Sequence, residues 1–133
     1  MCKKAICLIL FVLVLVLTGS ASAATYLWDN GGEGALWNVP ENWDPDGVPG
    51  AADTARITIP DANCVIDSSV TAECETVYVN DSGYLDMTGG TLTSSGHIRV
   101  GEASGSDAVW IMSGGTATSV DGRLWVGMNG KTK

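Results

Sequence analysis

Residues 87–94, MTGGTLTS, decide the fold, because they return 25 residues later as MSGGTATS in residues 112–119. The repeat continues along the chain, where residues 96–101 (GHIRVG) return as residues 122–127 (GRLWVG) at an offset of 26. Short alternating β-like runs separated by glycine turns, with a period of about 20–30 residues, are typical of β-solenoids. The repeat therefore predicts an all-β chain folded into stacked coils, with an ordinary β-sandwich as the alternative.

A weaker copy precedes these two. Residues 64–66 (CVI) and 77–79 (VYV) align with residues 85–87 and 98–100 at an offset of 21. Because alternate residues of a strand point to opposite faces, one apolar set in each coil should stack inside on its counterpart in the next. The predicted inward pairs are Leu85 with Trp110, Met87 with Met112, Leu92 with Ala117, Ile98 with Leu124, and Val100 with Val126.

The start of the chain predicts export. Two lysines precede an apolar run over residues 5–17, and residues 21–23 (ASA) form an A-x-A cleavage site, which together are typical of a signal peptide. Cleavage after Ala23 would leave a mature chain that begins at Ala24. The apolar run is shorter than the roughly 20 residues that span a bilayer, so a retained transmembrane segment is the less favoured alternative. We expect the protein to be secreted or held at the cell surface.

Composition divides the chain into a signal peptide over residues 1–23, a Trp/Asn/Gly-rich N-terminal cap over 24–54, and β-solenoid repeats over 55–133. The cap should cover the first coil with a small hydrophobic cluster, because an open coil end exposes unpaired strand edges. Its tryptophans are Trp28, Trp37 and Trp43. At the other end we expect the repeats to continue past residue 133, and the open solenoid end to allow self-association.

The charge of the chain argues against nucleic acid as a partner. The segment left after cleavage has five basic and 15 acidic residues, a net charge of −10, whereas nucleic acid requires a basic face. Calcium binding is the competing interpretation of an acidic chain. However, the one compact acidic cluster, residues 44–47 (DPDG), lacks the ligand series of an EF-hand loop. We predict no metal site and no cofactor.

Two cysteines, Cys64 and Cys74, remain after cleavage, and an even number in an exported protein favours a disulfide. The alternative is a pair of small buried apolar side chains. A zinc site is disfavoured, because His97 is the only histidine that could complete it. Cys64 and Cys74 are therefore a candidate disulfide.

The sequence lacks the usual catalytic constellations. A serine triad needs a histidine, and the single His97 is replaced by Arg123 in the next copy, which favours an outward, solvated position. Polysaccharide-cleaving β-helices align acidic side chains from coil to coil, whereas Asp86 is followed by Ile111. We therefore predict no catalytic residue and no enzyme activity. A glycosidase needs two carboxylates about 5–9.5 Å apart. The sequence leaves this possibility open for Asp67, Glu73 and Glu75.

Trp125 is the candidate ligand-stacking residue. It should point outward if Leu124 and Val126 point inward, and an exposed indole can stack on a sugar ring. The alternative is that Trp125 packs against a side chain of the neighbouring strand. The candidate partner is a cell-surface or extracellular polysaccharide.

The segment W…W…NW…VP…D.A, in residues 28–29, 37–38, 41–43, 47–49 and 53–55, resembles the opening of large bacterial surface proteins. In these proteins such a segment leads into autotransporter-associated β-strand repeats, and related chains end in a PEP-CTERM-type sorting segment or an autotransporter barrel. The resemblance extends over residues 26–130, although no sorting segment is present here. It implies an exported right-handed β-helix without catalytic residues. We therefore expect a non-catalytic structural or adhesive surface protein, with a carbohydrate-binding module or part of a polysaccharide-degrading β-helix enzyme as alternatives.

Overall fold

The computed structural model describes residues 22–127, in which β-strands are almost the only regular structure. One 3-10 helix, Pro40–Asn42, interrupts them. The strands are β1 (Thr25–Trp28), β2 (Trp43–Asp44), β3 (Thr54–Ile57), β4 (Asn63–Ile66), β5 (Thr71–Cys74), β6 (Thr76–Val79), β7 (Tyr84–Ser94), β8 (Ile98–Val100), β9 (Val109–Ser119) and β10 (Leu124–Val126). No helix in this part of the chain is long and apolar enough to cross a membrane. The apolar run over residues 5–17 lies outside the described residues.

The strands form three stacked coils, so the predicted β-solenoid is confirmed and the β-sandwich alternative is wrong. The first coil consists of β4, β5 and β6. In the second, β7 turns a corner and pairs with both β4 and β5, and β8 completes the coil. The third coil, β9 and β10, repeats this arrangement on top of the second. One sheet has the order β10-β8-β6-β3-β1-β2, and the other joins β4, β5 and β9 to β7.

The register of the coils agrees with the sequence repeat. All five inward pairs predicted between the second and third coils are direct register partners. The weaker first copy is also confirmed, because β4 and β6 pair with the second coil at the predicted offset of 21. Its partners are Cys64 with Leu85, Ile66 with Met87, Val77 with Ile98, and Val79 with Val100.

Burial follows the alternation along each strand, and the core runs along the solenoid axis. In the second coil, Met87, Ile98 and Val100 are 0%, 2% and 4% exposed. Their counterparts in the third coil, Met112, Leu124 and Val126, are 47%, 54% and 63% exposed, because no strand of the described residues stacks on β9 and β10. The core is therefore closed at the first coil and open at the third.

The third coil begins 25 residues after the second, whereas the second begins 21 residues after the first. The residues between β8 and β9, 101–108, take the place of the shorter turn at 80–83 between β6 and β7. The longer turn is fastened to the shorter one, because Glu102 N donates to Asn80 Oδ1 at 2.9 Å and Ser106 Oγ donates to Asp81 O at 3.2 Å. Extra length at a corner thus leaves the strand stacking intact.

The Trp-rich cap closes the N-terminal end of both sheets. β1 pairs in parallel with β3, and Leu36 forms a parallel bridge to Val65, so the cap supplies part of a coil of its own. β2 then pairs antiparallel with β1 and ends the first sheet. The three tryptophans of the cap, Trp28, Trp37 and Trp43, are buried. The predicted aromatic cap is confirmed.

Candidate functional site

The outer face of the first sheet presents one column of alternating cationic and aromatic side chains. Arg56, Tyr78, Arg99 and Trp125 are successive register partners on β3, β6, β8 and β10. Each is the outward residue of its strand, because its neighbours on either side belong to the inward-facing set. We call this column the cation–aromatic ladder.

The side chains of the ladder stack on one another. The Cζ atom of Arg56 lies 5.3 Å from the Tyr78 ring centroid. Arg99 lies between two rings, with its Cζ 5.4 Å from the Tyr78 centroid and 5.2 Å from the Trp125 centroid. These distances are within the range in which a cation is attracted to an aromatic face. The ladder therefore fixes two guanidinium groups on an outward-facing surface.

Positive charge collects around this ladder. The chain has only three arginines, and two of them are ladder members, while the exposed Arg123 immediately precedes β10. His97 lies beside them, since its Nδ1 accepts from Arg123 N at 3.0 Å and its ring centroid is 6.2 Å from that of Trp125. The salt bridge found within residues 22–127 joins Arg99 Nη1 to Glu102 Oε1 at 2.7 Å, so Arg56 and Arg123 have no carboxylate partner there.

Trp125 lies on the outer face, and its indole stacks on a side chain of the neighbouring strand, Arg99. This agrees with the alternative drawn from the sequence, in which Trp125 packs against a side chain of the neighbouring strand. The residue is half-buried, so part of its surface is available to a ligand. Stacking of a sugar on Trp125 stays a proposal.

Cys64 and Cys74 are both buried, and both are free thiols. They lie in different strands of the first coil, where Cys64 pairs with Leu85 and Cys74 pairs with Ser94, near opposite ends of β7. Burial raises the pKa of the Cys64 thiol well above its ordinary value, and burial together with the charge of Glu75 raises the pKa of Cys74 to about 12. The structure thus places the two cysteines as small core side chains.

The three carboxylates left open as a glycosidase pair lie along the first coil, at the end of β4 and along β5. Asp67 follows β4, and its carboxylate accepts from the Ser69 hydroxyl at 2.6 Å and from Ser69 N at 2.8 Å. These hydrogen bonds lower the pKa of Asp67. Glu73 is exposed on β5, and Glu75 is exposed just after it. Within residues 22–127, no group of three or more His, Cys, Asp or Glu residues could hold a metal ion.

Comparison of the chain with protein-family models, curated proteins and solved structures finds no match. The site must therefore be interpreted from its own geometry. Sequence reasoning found Trp125 but missed the ladder, although its signal is present. Each ladder residue is the middle residue of a short apolar run, as in VYV at 77–79, IRV at 98–100 and LWV at 124–126. Aligning these runs by coil would have brought the four residues into one column.

Proposed function

We propose that this chain is an exported, non-catalytic β-solenoid that serves as a structural or adhesive element at the cell surface or in the medium. The observation that supports it best is the parallel stacking of three coils around one apolar core. In its outward column, Asp86 lies between Val65 and Ile111 rather than between carboxylates. Such a surface suits a rigid spacer or a binding platform.

Export is supported by the N-terminal sequence and by where the fold begins. The leader pattern ends at residue 23, and β1 starts at Thr25, so removal of the leader would spare every described strand. The resemblance to bacterial surface proteins with β-strand repeats points the same way. It rests on the tryptophans that fill the cap.

Carbohydrate binding is the second candidate function, and the cation–aromatic ladder favours it. Aromatic rings and guanidinium groups are the side chains that stack on sugar rings and hydrogen bond to their substituents. The ladder combines both on one outward-facing surface. An adhesive role and carbohydrate binding would then be two descriptions of the same contact.

The test of the proposed function is expression of the full chain with its own leader in a bacterial host. We expect the protein in the exported or surface fraction, with Ala24 as the N-terminal residue by Edman sequencing. Incubation with a panel of polysaccharides should release no new reducing ends. Recovery of Met1 in the cell interior would contradict export, and release of reducing ends would contradict the non-catalytic role.

A further inference from the structure

We propose that the cation–aromatic ladder binds an anionic polysaccharide whose sugars carry carboxylate groups. This rests on the carbohydrate-binding function proposed above and names its ligand class. The ladder is the one outward surface on which the arginines of the described residues come together. A carboxylated glycan matches both of its components, because guanidinium pairs with carboxylate and an aromatic ring packs against the sugar ring.

Charge complementarity selects the carboxylated ligand over a neutral one. Arg56 is exposed, has no carboxylate partner within residues 22–127, and extends over Tyr78. A neutral glycan could accept hydrogen bonds from its guanidinium but would not supply the opposite charge. Arginine binds carboxylate through two parallel N–H···O bonds, which gives both energy and geometry. Stacking on a ring restricts the guanidinium beforehand, so fewer rotamers are lost when the ligand binds.

The spacing of the ladder suits an extended, repetitive ligand. Arg56 and Arg99 are on strands two positions apart in the sheet, which corresponds to roughly 9.6 Å at a strand spacing of about 4.8 Å. Arg123 immediately precedes β10, two residues before Trp125, which is the ladder residue on that strand. Because the strands are parallel and in register, Arg56 and Arg99 lie in one row across them with Tyr78 between, and a polymer lying across the strands would meet each in turn. Arg99 is also paired with Glu102, so Arg56 is the ladder arginine that is left for a ligand carboxylate.

The experiment measures binding of the exported protein to immobilised polygalacturonate, with dextran as the neutral polymer and single-stranded DNA as a polyanion that carries phosphate instead of carboxylate. We expect saturable binding to polygalacturonate alone. Arg56→Gln should weaken it about tenfold, the loss expected for a charged hydrogen bond, whereas Arg56→Lys should weaken it less. Glu73→Gln, an exposed change on β5 of the other sheet, is the control and should leave binding within about twofold.

Each other outcome overturns the proposal. Equal binding to dextran would show a neutral-glycan site, and equal binding to DNA would show non-selective anion binding. Polygalacturonate binding that survives Arg56→Gln would place the site elsewhere. No binding to any polymer by protein that is exported with Ala24 first would reject the ladder site while leaving the structural function standing.

A different observation carries a second inference, and it concerns the first residue after the leader. Ala24 N donates to Asp53 Oδ1 at 2.8 Å, and Ala24 O accepts from Thr54 N at 2.8 Å. The other carboxylate oxygen, Asp53 Oδ2, accepts from Gly50 N at 2.9 Å. The residue at which cleavage is predicted to leave a new N terminus is therefore held against a carboxylate.

We infer that removal of the leader creates an ion pair between the new N terminus and Asp53. Hydrolysis of the Ala23–Ala24 bond adds a hydroxyl to the Ala23 carbonyl and leaves an amine on Ala24. That amine binds a proton at neutral pH, since an α-amino group has a pKa of about 7.7–8.0. A neutral amide donor thus becomes a charged donor to the same carboxylate, and charge-assisted hydrogen bonds are roughly twice as strong.

The test compares the melting temperature of chains that begin at Ala24 with chains that keep Ser22 and Ala23. We expect the Ala24 start to melt about 3–6 °C higher, the shift that a modest gain gives a domain of this size. Asp53→Asn keeps an acceptor oxygen but removes the charge, so it should abolish the difference between the two starts. Equal melting of both starts, or a difference that persists in Asp53→Asn, would overturn the inference.

Discussion

Gly90 and Gly115 occupy the same corner of successive coils, and both have left-handed backbone torsions, with φ of 64° and 81°. A Cβ atom at Gly90 would collide with the carbonyl oxygens of Asp67 and Val70 in the coil below. The sharp bend within β7 therefore requires the absence of a side chain as well as an unusual torsion.

Gly90→Ala should lower the free energy of unfolding by about 2 kcal/mol or more, since it adds a collision to the left-handed strain. Gly105→Ala is the matched control. Its φ is also positive, at 79°, but an added Cβ would meet nothing within 4 Å. It should cost only about 1 kcal/mol. Urea denaturation of both variants measures the difference, and equal losses would show that the corner is not sterically constrained.

Cys74 gives the protein a specific response to alkaline pH. Its pKa is raised from 9.0 to about 12, so the unfolded chain loses this proton before the folded one does. The stability contributed by the neutral thiol is fully present below pH 9 and is lost as the pH rises toward 12. We expect Cys74→Ala to show a shallower loss of stability over pH 9–11 than the parent protein in urea titrations. Identical slopes would contradict the burial of this thiol.

Both thiols should also resist alkylation by iodoacetamide at pH 8 until urea unfolds the chain, because the reactive thiolate is suppressed. Labelling followed by mass spectrometry reports this directly. Rapid labelling of the native protein would show that the core opens at β4 or β5. A joined Cys64–Cys74 peptide from protein kept in an oxidising compartment would show that the sequence-based disulfide forms there.

The cap is held together by the packing of its three tryptophans. Trp43 stands edge-on to both neighbours, with ring centroids 5.0 Å from Trp28 and 4.8 Å from Trp37. Its Nε1 donates to Trp37 O at 2.8 Å. Asn42 fastens the preceding loop, since its side chain accepts from Gly32 N and donates to Gly34 O and Leu36 O. The cap is thus held by aromatic edges and by one buried amide.

Trp43→Ala should destabilise the protein by about 3–5 kcal/mol, the usual result of emptying a buried aromatic site. Trp43→Phe keeps a ring but leaves the Trp37 carbonyl without its donor, at a cost of about 1–3 kcal/mol. Trp125→Ala, on the half-buried ladder, is the control and should cost about 1 kcal/mol. Chemical denaturation ranks the three. If Trp125→Ala were as damaging as Trp43→Ala, the ladder would belong to the core.

At the scale of strands, the sequence predicted how the repeats pair but not how the cap pairs with the first coil. Residues 87–94 and 112–119 share a pattern, so their coil register followed from alignment alone. β1 and the Leu36–Val65 bridge have no counterpart among the repeats, and their pairing depends on tertiary contacts. Predicting the ladder would have required knowing which strands are neighbours in the sheet. Its arginines are 21–26 residues from their aromatic partners in sequence but adjacent to them across the sheet.

The two ends of the solenoid within residues 22–127 differ. The N-terminal end is covered by β2 and the buried tryptophans, whereas the inward residues of the third coil are exposed along β9 and β10. An uncovered strand edge with apolar side chains is a template for further pairing. The open end therefore accounts for any self-association better than the capped end does.

Val126→Lys should reduce self-association with little loss of stability, because this side chain is 63% exposed. Val100→Lys, its register partner one coil below, should instead prevent folding, since it buries a charge. Sedimentation velocity over a range of concentrations measures association, and circular dichroism measures folding. Unchanged association in Val126→Lys would place the contact on another surface.

The difference between the two ends also favours an order of assembly. Synthesis and export both deliver the N-terminal part of a chain first, and that part is the one that can complete itself, because the cap seals its own outer side with β2 and the tryptophans. Each later segment then arrives beside an edge that already has the right register. The growth front is always the newest coil, so no finished part has to wait for residues that have not yet been made.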